Sequence, residues 1–324
     1  MCGLREIMTG LNIQAWAEQL RRQVGQVVVG KQTSVDLLLT ALLCEGHVLL
    51  EDVPGVGKTT LIRALAQSLD CQFRRVQFTP DLLPSDVTGL NFYNQKLSEF
   101  QFRAGPLFAN IVLADEINRA TPRTQSALLE AMAEATITID GETHQLTRPF
   151  LVLATQNPIE LEGTFPLPEA QLDRFLLRVN LGYPSEAEEH AIIQRFNQGD
   201  PWMAMQAVSD QSQLLAAIQA VRTVHLSDAV RNYAIAIVRA TREHSEIELG
   251  ASPRGSLALT RAAQAWALVH GRDFVLPDDV KQLVPSVLAH RLILNAEARL
   301  AQRSPEKILA DIVKSIATPV EERA

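Results

Sequence analysis

Cysteine is scarce in this chain of 324 residues, which contains only Cys2, Cys44 and Cys71. The number is odd and no C-x-x-C spacing occurs, so neither a disulfide framework nor a zinc site is predicted. No apolar run approaches the ~20 residues needed to cross a bilayer. The first residues contain no signal-peptide core and no glycine at position 2 for acylation. We therefore expect a cytoplasmic protein without a membrane partner.

The chain also lacks an excess of positive charge. Lys and Arg number 30 against 37 Asp and Glu, which gives a net charge of −7. Sequence-independent binding of nucleic acid needs a basic face, so the balance disfavours that class, although segregated charge would still permit it. A hydrophobic content of 47% with 21% charged residues is typical of a globular protein that is long enough for two domains.

A phosphate-binding motif occupies residues 51–60, with the sequence Glu-Asp-Val-Pro-Gly-Val-Gly-Lys-Thr-Thr. It follows the apolar run 47–50 and precedes the helical pattern 61–66, which is the strand, turn and helix context that such a loop requires. Glycines let backbone N–H groups point at an oxyanion, and the helix dipole favours negative charge there. Lys58 is expected at the β- and γ-phosphates and Thr59 at a magnesium ion. The motif predicts an enzyme that acts on a nucleoside triphosphate.

One position departs from the G-x-x-x-x-G-K-[ST] pattern, because Asp52 stands where the pattern has its first glycine. The glycines that remain still allow the loop to form. A chance Gly-Lys-Thr in a loop is the alternative, and the flanking strand and helix patterns disfavour it. The residues predicted to bind nucleotide through the loop are Pro54, Gly55, Val56, Gly57, Lys58, Thr59 and Thr60.

Short apolar runs alternate with helical patterns in the first half of the chain. The alternation predicts a three-layer α/β domain with a parallel sheet over residues 1–183, followed by a smaller helical domain over 184–324. The predicted strands are 48–51, 73–78, 111–115, 150–154 and 175–179. Two segments interrupt the alternation and are expected to project from the core. One is 91–103, and the other is 136–146, which alternates around Asp140-Gly141 as a hairpin does.

Polar residues follow two of the predicted buried strands. Asp115 could help to hold magnesium, and Glu116 could polarise the water that attacks the γ-phosphate. Asn157, after the next strand, could orient that water. The alternatives are an ordinary strand end with solvated acids and a turn-forming Asn before Pro158. The position of the acids after a phosphate loop favours the functional interpretation.

Four segments together resemble the MoxR family of AAA+ ATPases. They are Asp-Glu-Ile-Asn-Arg-Ala at 115–120, Ala-Leu-Leu-Glu-Ala-Met at 127–132, Ala-Thr-Gln-Asn-Pro at 154–158 and Leu-Pro-Glu-Ala-Gln-Leu-Asp-Arg-Phe at 167–175. The last segment is far more specific than any phosphate-loop motif. The resemblance runs from about Val29-Gly30 to the C-terminal helices.

The resemblance implies an AAA+ core with sheet order 5-1-4-3-2 and a small all-helical lid. It implies that 91–103 is the insertion in helix 2 and that 136–146 is the hairpin before the sensor-1 strand. The roles that it implies are sensor 1 for Asn157, an arginine finger acting on the neighbouring subunit for Arg174, sensor 2 closing the lid over the γ-phosphate for Arg254, and contact with adenine for Val29 and Gly30.

The sequence positions of Arg254 and Arg174 also indicate what their side chains could do. Arg254 falls in the first turn of a predicted helix, where the dipole disfavours a cation, so a nearby phosphate would explain it. The alternative is a solvated side chain that points away. Arg174 directly precedes a predicted strand, and its alternative is a simple surface charge.

The family resemblance further implies ATP and ADP with Mg²⁺ as cofactors, hydrolysis of ATP to ADP and phosphate, and a homo-oligomeric, hexameric ring. It implies a chaperone-like function with a protein client and a partner that carries a von Willebrand factor A domain. One rival is a DNA-directed AAA+ motor, but hairpin 136–146 contains no Lys or Arg to track a phosphate backbone. The other is a nucleotide-stabilised scaffold with little turnover, which the filled catalytic positions disfavour.

Overall fold

The computed structural model describes residues 12–156 and 163–319. Its centre is a parallel sheet of five strands in the spatial order β2-β5-β8-β1-β9. Numbered one to five along the chain, these strands give the order 5-1-4-3-2, as the family resemblance implied. The strands are β1 His47–Glu51, β2 Phe73–Gln77, β5 Ile111–Asp115, β8 Leu151–Gln156 and β9 Phe175–Val179.

The inner strands are apolar on both faces because helices cover both sides of the sheet. Residues 111–114 and 151–154 are completely buried. Strand β2 differs, since it lies at the edge of the sheet and its Arg74 and Arg75 are exposed while Val76 is buried. The pattern that predicted the five strands therefore reflects real double-sided burial at the centre of the sheet.

Helices of the first half are α1 Ile13–Val27, α2 Gln32–Leu43, α3 Lys58–Ser68, α4 Pro84–Thr88, α5 Pro122–Glu134 and α6 Glu169–Leu172. The second half is helical, with α7 Glu186–Asn197, α8 Gln211–Ala220, α9 Asp228–Glu243, α10 Pro253–Val269, α11 Pro277–Leu288, α12 Ala296–Leu300 and α13 Pro305–Ser315, and a small ladder of β10 Ile247–Leu249 with β11 Ile293–Leu294. Ser185 begins α7 with the capping box that its sequence predicted. Among the described residues, none of these helices combines the length and the apolar character needed to cross a membrane.

Two antiparallel hairpins stand outside the central sheet. The first pairs β3 Gly89–Asn94 with β4 Glu99–Ala104, and the second pairs β6 Thr136–Ile139 with β7 Glu142–Gln145. The second hairpin is as predicted. The first is slightly longer than the predicted 91–103, and the helix before it, α4, is short.

The two hairpins pack against each other. The rings of Phe102 and His144 stack with centroids 4.2 Å apart. Asn91 Nδ2 donates to Asp140 Oδ2 at 2.9 Å. The hairpins therefore form one joint projection that presents a common surface.

Lid helix α10 packs on the N-terminal helices α1 and α2. A polar contact accompanies this packing, because Asp36 of α2 accepts from Arg21 Nε at 2.5 Å and lies 3.4 Å from His270 Nε2 at the end of α10. The helical second half thus shares its apolar core with the first half. The boundary at residue 183 stays a prediction.

Candidate nucleotide-binding site

The loop between β1 and α3 turns sharply because two glycines adopt left-handed backbone angles. Gly55 has φ 86° and Gly57 has φ 91°, which side-chain-bearing residues rarely tolerate. The loop curves around a cleft of about 350 Å³ at the carboxyl ends of the strands. The cleft is lined by Asp52, Pro54, Gly55, Gly57, Lys58, Thr59, Thr60, Arg75, Asp115, Glu116, Thr155 and Gln156.

Lys58 and Thr59 open helix α3, whose N-terminus points positive partial charge into this cleft. The ammonium group of Lys58 donates to the loop carbonyls of Asp52, at 2.8 Å, and Val53, at 3.2 Å. A cation, hydroxyl groups and a helix N-terminus around one cleft form an anion site suited to a polyphosphate.

Asp52 ties the loop to the chain that follows β9. Its Oδ1 accepts from the backbone N–H of Gly182 at 3.1 Å, and its Oδ2 accepts from that of Leu181. Lys31 holds the same segment from the other side, since its Nζ donates to the carbonyl of Leu181 at 2.8 Å. The departure from the phosphate-loop pattern is therefore a buried structural tie, and the loop forms without the first glycine.

The two acids after β5 are held by specific partners. Asp115 Oδ1 accepts from Thr155 Oγ1 at 2.6 Å, and Asp115 Oδ2 accepts from Arg75 Nη2 at 2.6 Å. Glu116 lies in the left-handed region with φ 57°, its N–H donates to Thr155 Oγ1 at 2.8 Å, and its carboxylate pairs with Arg119 Nε at 3.1 Å. A strained backbone that brings an acid to a cleft is typical of a functional site.

The donor set at the cleft fits magnesium. Thr59, Asp115, Glu116 and Thr155 supply hydroxyl and carboxylate oxygens, which are the hard ligands that Mg²⁺ prefers. Within the described ranges, no group of three or more His, Cys, Asp or Glu side chains could hold a metal. Mg²⁺ bound by one or two protein oxygens together with substrate phosphates needs no such group.

A mostly apolar pocket of about 190 Å³ adjoins the loop. It is lined by Val27, Val28, Val29, Lys31, Gly55, Val56, Gly57, Thr60, Pro184, Ile192 and Phe196. Val29 lines this pocket and Gly30 lines the cavity next to it. Their contact with adenine stays a prediction. The pocket shares Gly55, Gly57 and Thr60 with the phosphate cleft, so the two cavities adjoin along the loop.

The chain is similar to known proteins over most of its length. A family model described as ATPase family associated with various cellular activities (AAA) matches residues 47–177, and one described as AAA lid domain matches 239–312. The uncharacterised protein YeaC of Bacillus subtilis is 51% identical over 93% of this chain and 94% of its own length. Chaperone MoxR1 of Mycobacterium tuberculosis is 45% identical over 92% of this chain and 81% of its own length.

Protein MoxR of Methylorubrum extorquens is 30% identical over 94% of this chain and 95% of its own length. The chain belongs to the MoxR family of AAA+ ATPases. A crystal structure of a protein from Cytophaga hutchinsonii, described as a candidate ATPase, superposes with a TM-score of 0.90 at 39% identity and covers 98% of each chain. The resemblance drawn from the motifs is thereby confirmed, together with the AAA+ fold and the helical lid.

The two predicted arginines of this MoxR protein lie outside its phosphate cleft, on segments of chain that meet. Arg174 Nη1 donates to the backbone carbonyl of Leu129. Among the described residues, the lining of the phosphate cleft includes neither Arg174 nor Arg254, and both are exposed. Asp173 Oδ2 accepts from Ser252 Oγ at 3.1 Å, which joins the residue before Arg174 to the N-cap of the helix that carries Arg254. Asn157, the predicted sensor 1, lies outside the described residues.

Sequence reasoning missed three residues of the MoxR cleft, namely Arg75, Thr155 and Gln156. The last two lie at the polar tip of β8, directly before Asn157. Arg75 had a signal as well, because two consecutive arginines are unusual in a strand predicted to be buried. Only the pairing of β2 with β5 brings that arginine to Asp115.

Proposed function

We propose that this MoxR-family protein hydrolyses ATP within a homo-oligomeric, hexameric ring and uses the energy to remodel or mature a protein client. The observation that carries the proposal is the convergence of the phosphate loop, the acid pair and the apolar base pocket at one edge of the sheet. A cleft of that kind at the carboxyl ends of parallel strands is where this fold class binds nucleotides.

Five side chains of the cleft have a role in this proposal. Lys58 and the N–H groups of the loop bind the β- and γ-phosphates. Thr59 and Asp115 hold Mg²⁺, which when bound neutralises charge on the phosphate oxygens. Glu116 accepts a proton from the attacking water. Thr155 Oγ1 donates to the Asp115 carboxylate and accepts from the backbone N–H of Glu116, so it orients that carboxylate and holds the backbone of Glu116.

In this proposal the remaining charges come from a neighbouring subunit, which for Arg254 departs from the lid-closing sensor-2 role that the family resemblance implied. Both arginines are exposed, and the chain before Arg174 meets the N-cap of the helix that carries Arg254. In this proposal Arg174 leaves the carbonyl of Leu129, to which its Nη1 donates, when a neighbouring subunit docks. Cations that reach the γ-phosphoryl oxygens stabilise the charge that develops during transfer. Asn157 stays our sequence-based prediction for the residue that orients the water.

The surface formed by the two packed hairpins favours a protein client over a nucleic acid. Phe100 at its tip is 74% exposed and Leu97 is 59% exposed, whereas hairpin 136–146 has no lysine or arginine. Exposed apolar side chains suit a protein surface, and phosphate backbones require cations. The partner with a von Willebrand factor A domain remains a prediction from the family resemblance.

Two substitutions test the assignment of the cleft. Lys58→Ala is expected to abolish binding of ATP, because the polyphosphate loses its principal cation. Glu116→Gln is expected to bind ATP but to hydrolyse it slowly, since only the proton acceptor is lost. Dissociation constants and phosphate release decide this, with Glu134→Gln, an exposed acid on α5, as the matched control. Wild-type turnover in Glu116→Gln would overturn the proposed mechanism.

A further inference from the structure

Both carboxylate oxygens of Asp115 are engaged by side chains of this chain. Thr155 Oγ1 donates to Oδ1 at 2.6 Å, and Arg75 donates to Oδ2 through Nη2 at 2.6 Å and Nε at 3.0 Å. The Asp115 side chain is only 14% exposed, so little of it remains open to other partners. The residue assigned to magnesium is thus the ion-pair partner of an arginine.

Arg75 reaches this position along the edge strand. Gln77 pairs with Asp115 in the sheet register, and Arg75 lies two residues earlier on the same face of β2. Gln77 Oε1 accepts from Arg75 Nη2 at 3.0 Å and aligns the guanidinium toward the strand end. There Arg75 lines the phosphate cleft together with Lys58 and Thr59, and about half of its side chain is exposed.

The same oxygen cannot serve the guanidinium and a metal equally well. A divalent cation, or its coordinated water, at Asp115 Oδ2 repels the guanidinium or competes with its N–H groups. Phosphate oxygens in the same cleft offer Arg75 an alternative partner, because a guanidinium fork matches phosphate geometry.

We propose that Arg75 is a nucleotide-binding residue that leaves Asp115 for a phosphate oxygen when the nucleotide binds, with or without Mg²⁺, and so frees Asp115 to hold the metal. Arg75 thereby couples metal binding to nucleotide binding, since Mg²⁺ and the nucleotide each raise the affinity of the site for the other. The proposal rests on the proposed function only in that this cleft binds a nucleotide with Mg²⁺.

Two binding measurements on Arg75→Gln, neither of which requires ATP hydrolysis, test the coupling. Without nucleotide, Mn²⁺ bound to the protein, followed by electron paramagnetic resonance, is expected to bind several-fold more tightly, because Asp115 no longer has a competing cation. In EDTA, the fluorescent analogue mant-ATP is expected to bind about tenfold more weakly, because one charge-assisted contact to phosphate is lost. If Arg75 and Asp115 formed only a structural ion pair, Arg75→Gln would not change the affinities for Mn²⁺ and for mant-ATP in opposite directions.

Arg74→Gln is the matched control, since it removes the same charge from the neighbouring residue, which does not line the cleft. It is expected to leave both affinities at the wild-type value. In an Asp115→Asn background, Arg75→Gln is expected not to tighten Mn²⁺ binding. Circular dichroism and thermal unfolding check that each variant is folded.

The outcomes separate this inference from the proposed function. If the wild-type protein binds mant-ATP with Mg²⁺ but Arg75→Gln shows both affinities unchanged, or both weakened, Arg75 is structural and the inference fails alone. The same holds if Arg74→Gln reproduces the effect or if tightening persists in Asp115→Asn, because the effect is then general electrostatics. If the wild-type protein binds no mant-ATP even with Mg²⁺, the proposed function fails as well.

Discussion

Asp52 replaces a glycine of a common motif, and the fold explains how the replacement is tolerated. Its carboxylate accepts two backbone N–H groups from Leu181 and Gly182, and it is 7% exposed. A buried N–H group that loses its acceptor costs about 1–3 kcal/mol of stability. At the residue scale, the loop therefore loses the conformational freedom of a glycine and gains hydrogen bonds that fix it to the chain after β9.

We expect Asp52→Ala to lower the free energy of unfolding by about 1–3 kcal/mol, because the buried N–H group of Leu181 loses its acceptor. Asp52→Asn keeps one acceptor oxygen and is expected to lose about half as much. Urea unfolding measures both, with Glu134→Ala as a control that stays within about 0.5 kcal/mol of wild type. An Asp52→Ala protein as stable as wild type contradicts the structural role.

His47 gives a second prediction at this scale. The N–H of Val152 donates to its Nδ1 at 3.0 Å, so the ring is neutral and its Nε2 donates to the carbonyl of Met132 at 2.9 Å. Burial lowers the pKa of His47 to about 4, against 6.5 in an unfolded chain. A lowered folded pKa means that the contribution to stability is complete above pH 6.5 and is lost as the pH falls toward 4.

The stability advantage of the wild type over His47→Gln is therefore expected to shrink by about 2–3 kcal/mol between pH 7.5 and pH 4.5. Urea unfolding of both proteins at several pH values measures the difference directly. His290 is buried as well and its pKa is also lowered, but it is common to both proteins and its effect cancels. A difference that does not change with pH rules out the neutral, buried histidine.

The two hairpins act together at the scale of elements. Phe102 of the first stacks on His144 of the second, so a change in either displaces the shared surface. Tyr93 and Phe100 pair across the first hairpin with ring centroids 5.3 Å apart, and both are exposed. An apolar tip on a rigid base is suited to contact a protein chain.

We expect Tyr93→Ser with Phe100→Ser to abolish any stimulation of ATP turnover by an unfolded probe protein, carboxymethylated lactalbumin, while basal turnover is kept. Gln95→Ser, at the turn of the same hairpin, is the control and should keep the stimulation. Fluorescence anisotropy with labelled double-stranded DNA should show no binding. Tight DNA binding that weakens steeply with salt and is lost when 136–146 is shortened would favour the motor instead.

The arrangement of the whole molecule places Arg174 and Arg254 on a face that does not belong to its own cleft. Asp173 holds this face together, because it accepts from Ser252 and from Arg291 Nε at 2.9 Å, and Arg291 is buried. If both arginines act on a neighbour, no single subunit contains a complete active site. Turnover per subunit should then rise with protein concentration as rings assemble.

Arg174→Ala is expected to bind ATP but to hydrolyse it slowly, since arginine fingers contribute ~10³-fold or more in other phosphoryl-transfer enzymes. Mixing Arg174→Ala with Lys58→Ala should restore activity, because some interfaces then pair an intact cleft with intact arginines. The same should hold for Arg254→Ala mixed with Lys58→Ala. Phosphate release from the mixtures measures both.

A third mixture, Arg174→Ala with Arg254→Ala, decides whether Arg254 acts on its own subunit. If both arginines come from one neighbour, no interface in that mixture is complete and activity stays low. If Arg254 acts within its own subunit, the mixture recovers activity. When mixed oligomers form and the Lys58→Ala mixtures regain nothing, the role of Arg174 across the interface is wrong.

The sequence by itself determined the features that are local along the chain. The phosphate loop, the acid pair after β5, the five strands and the hairpin at 136–146 are each set by neighbouring residues, so their patterns can be read without a fold. The sheet order and the lid followed from the family resemblance, because strand order depends on contacts far apart in sequence.

Only the tertiary structure decided which distant residues meet. Arg75 reaches Asp115 because β2 and β5 are neighbours, and Asp52 meets Leu181 because β1 and β9 are neighbours. Ser252, two residues before Arg254, meets Asp173 because the lid folds back on the chain before β9. Each of these contacts joins segments tens of residues apart, and a hydrogen bond of that kind leaves no periodic or local trace in the sequence.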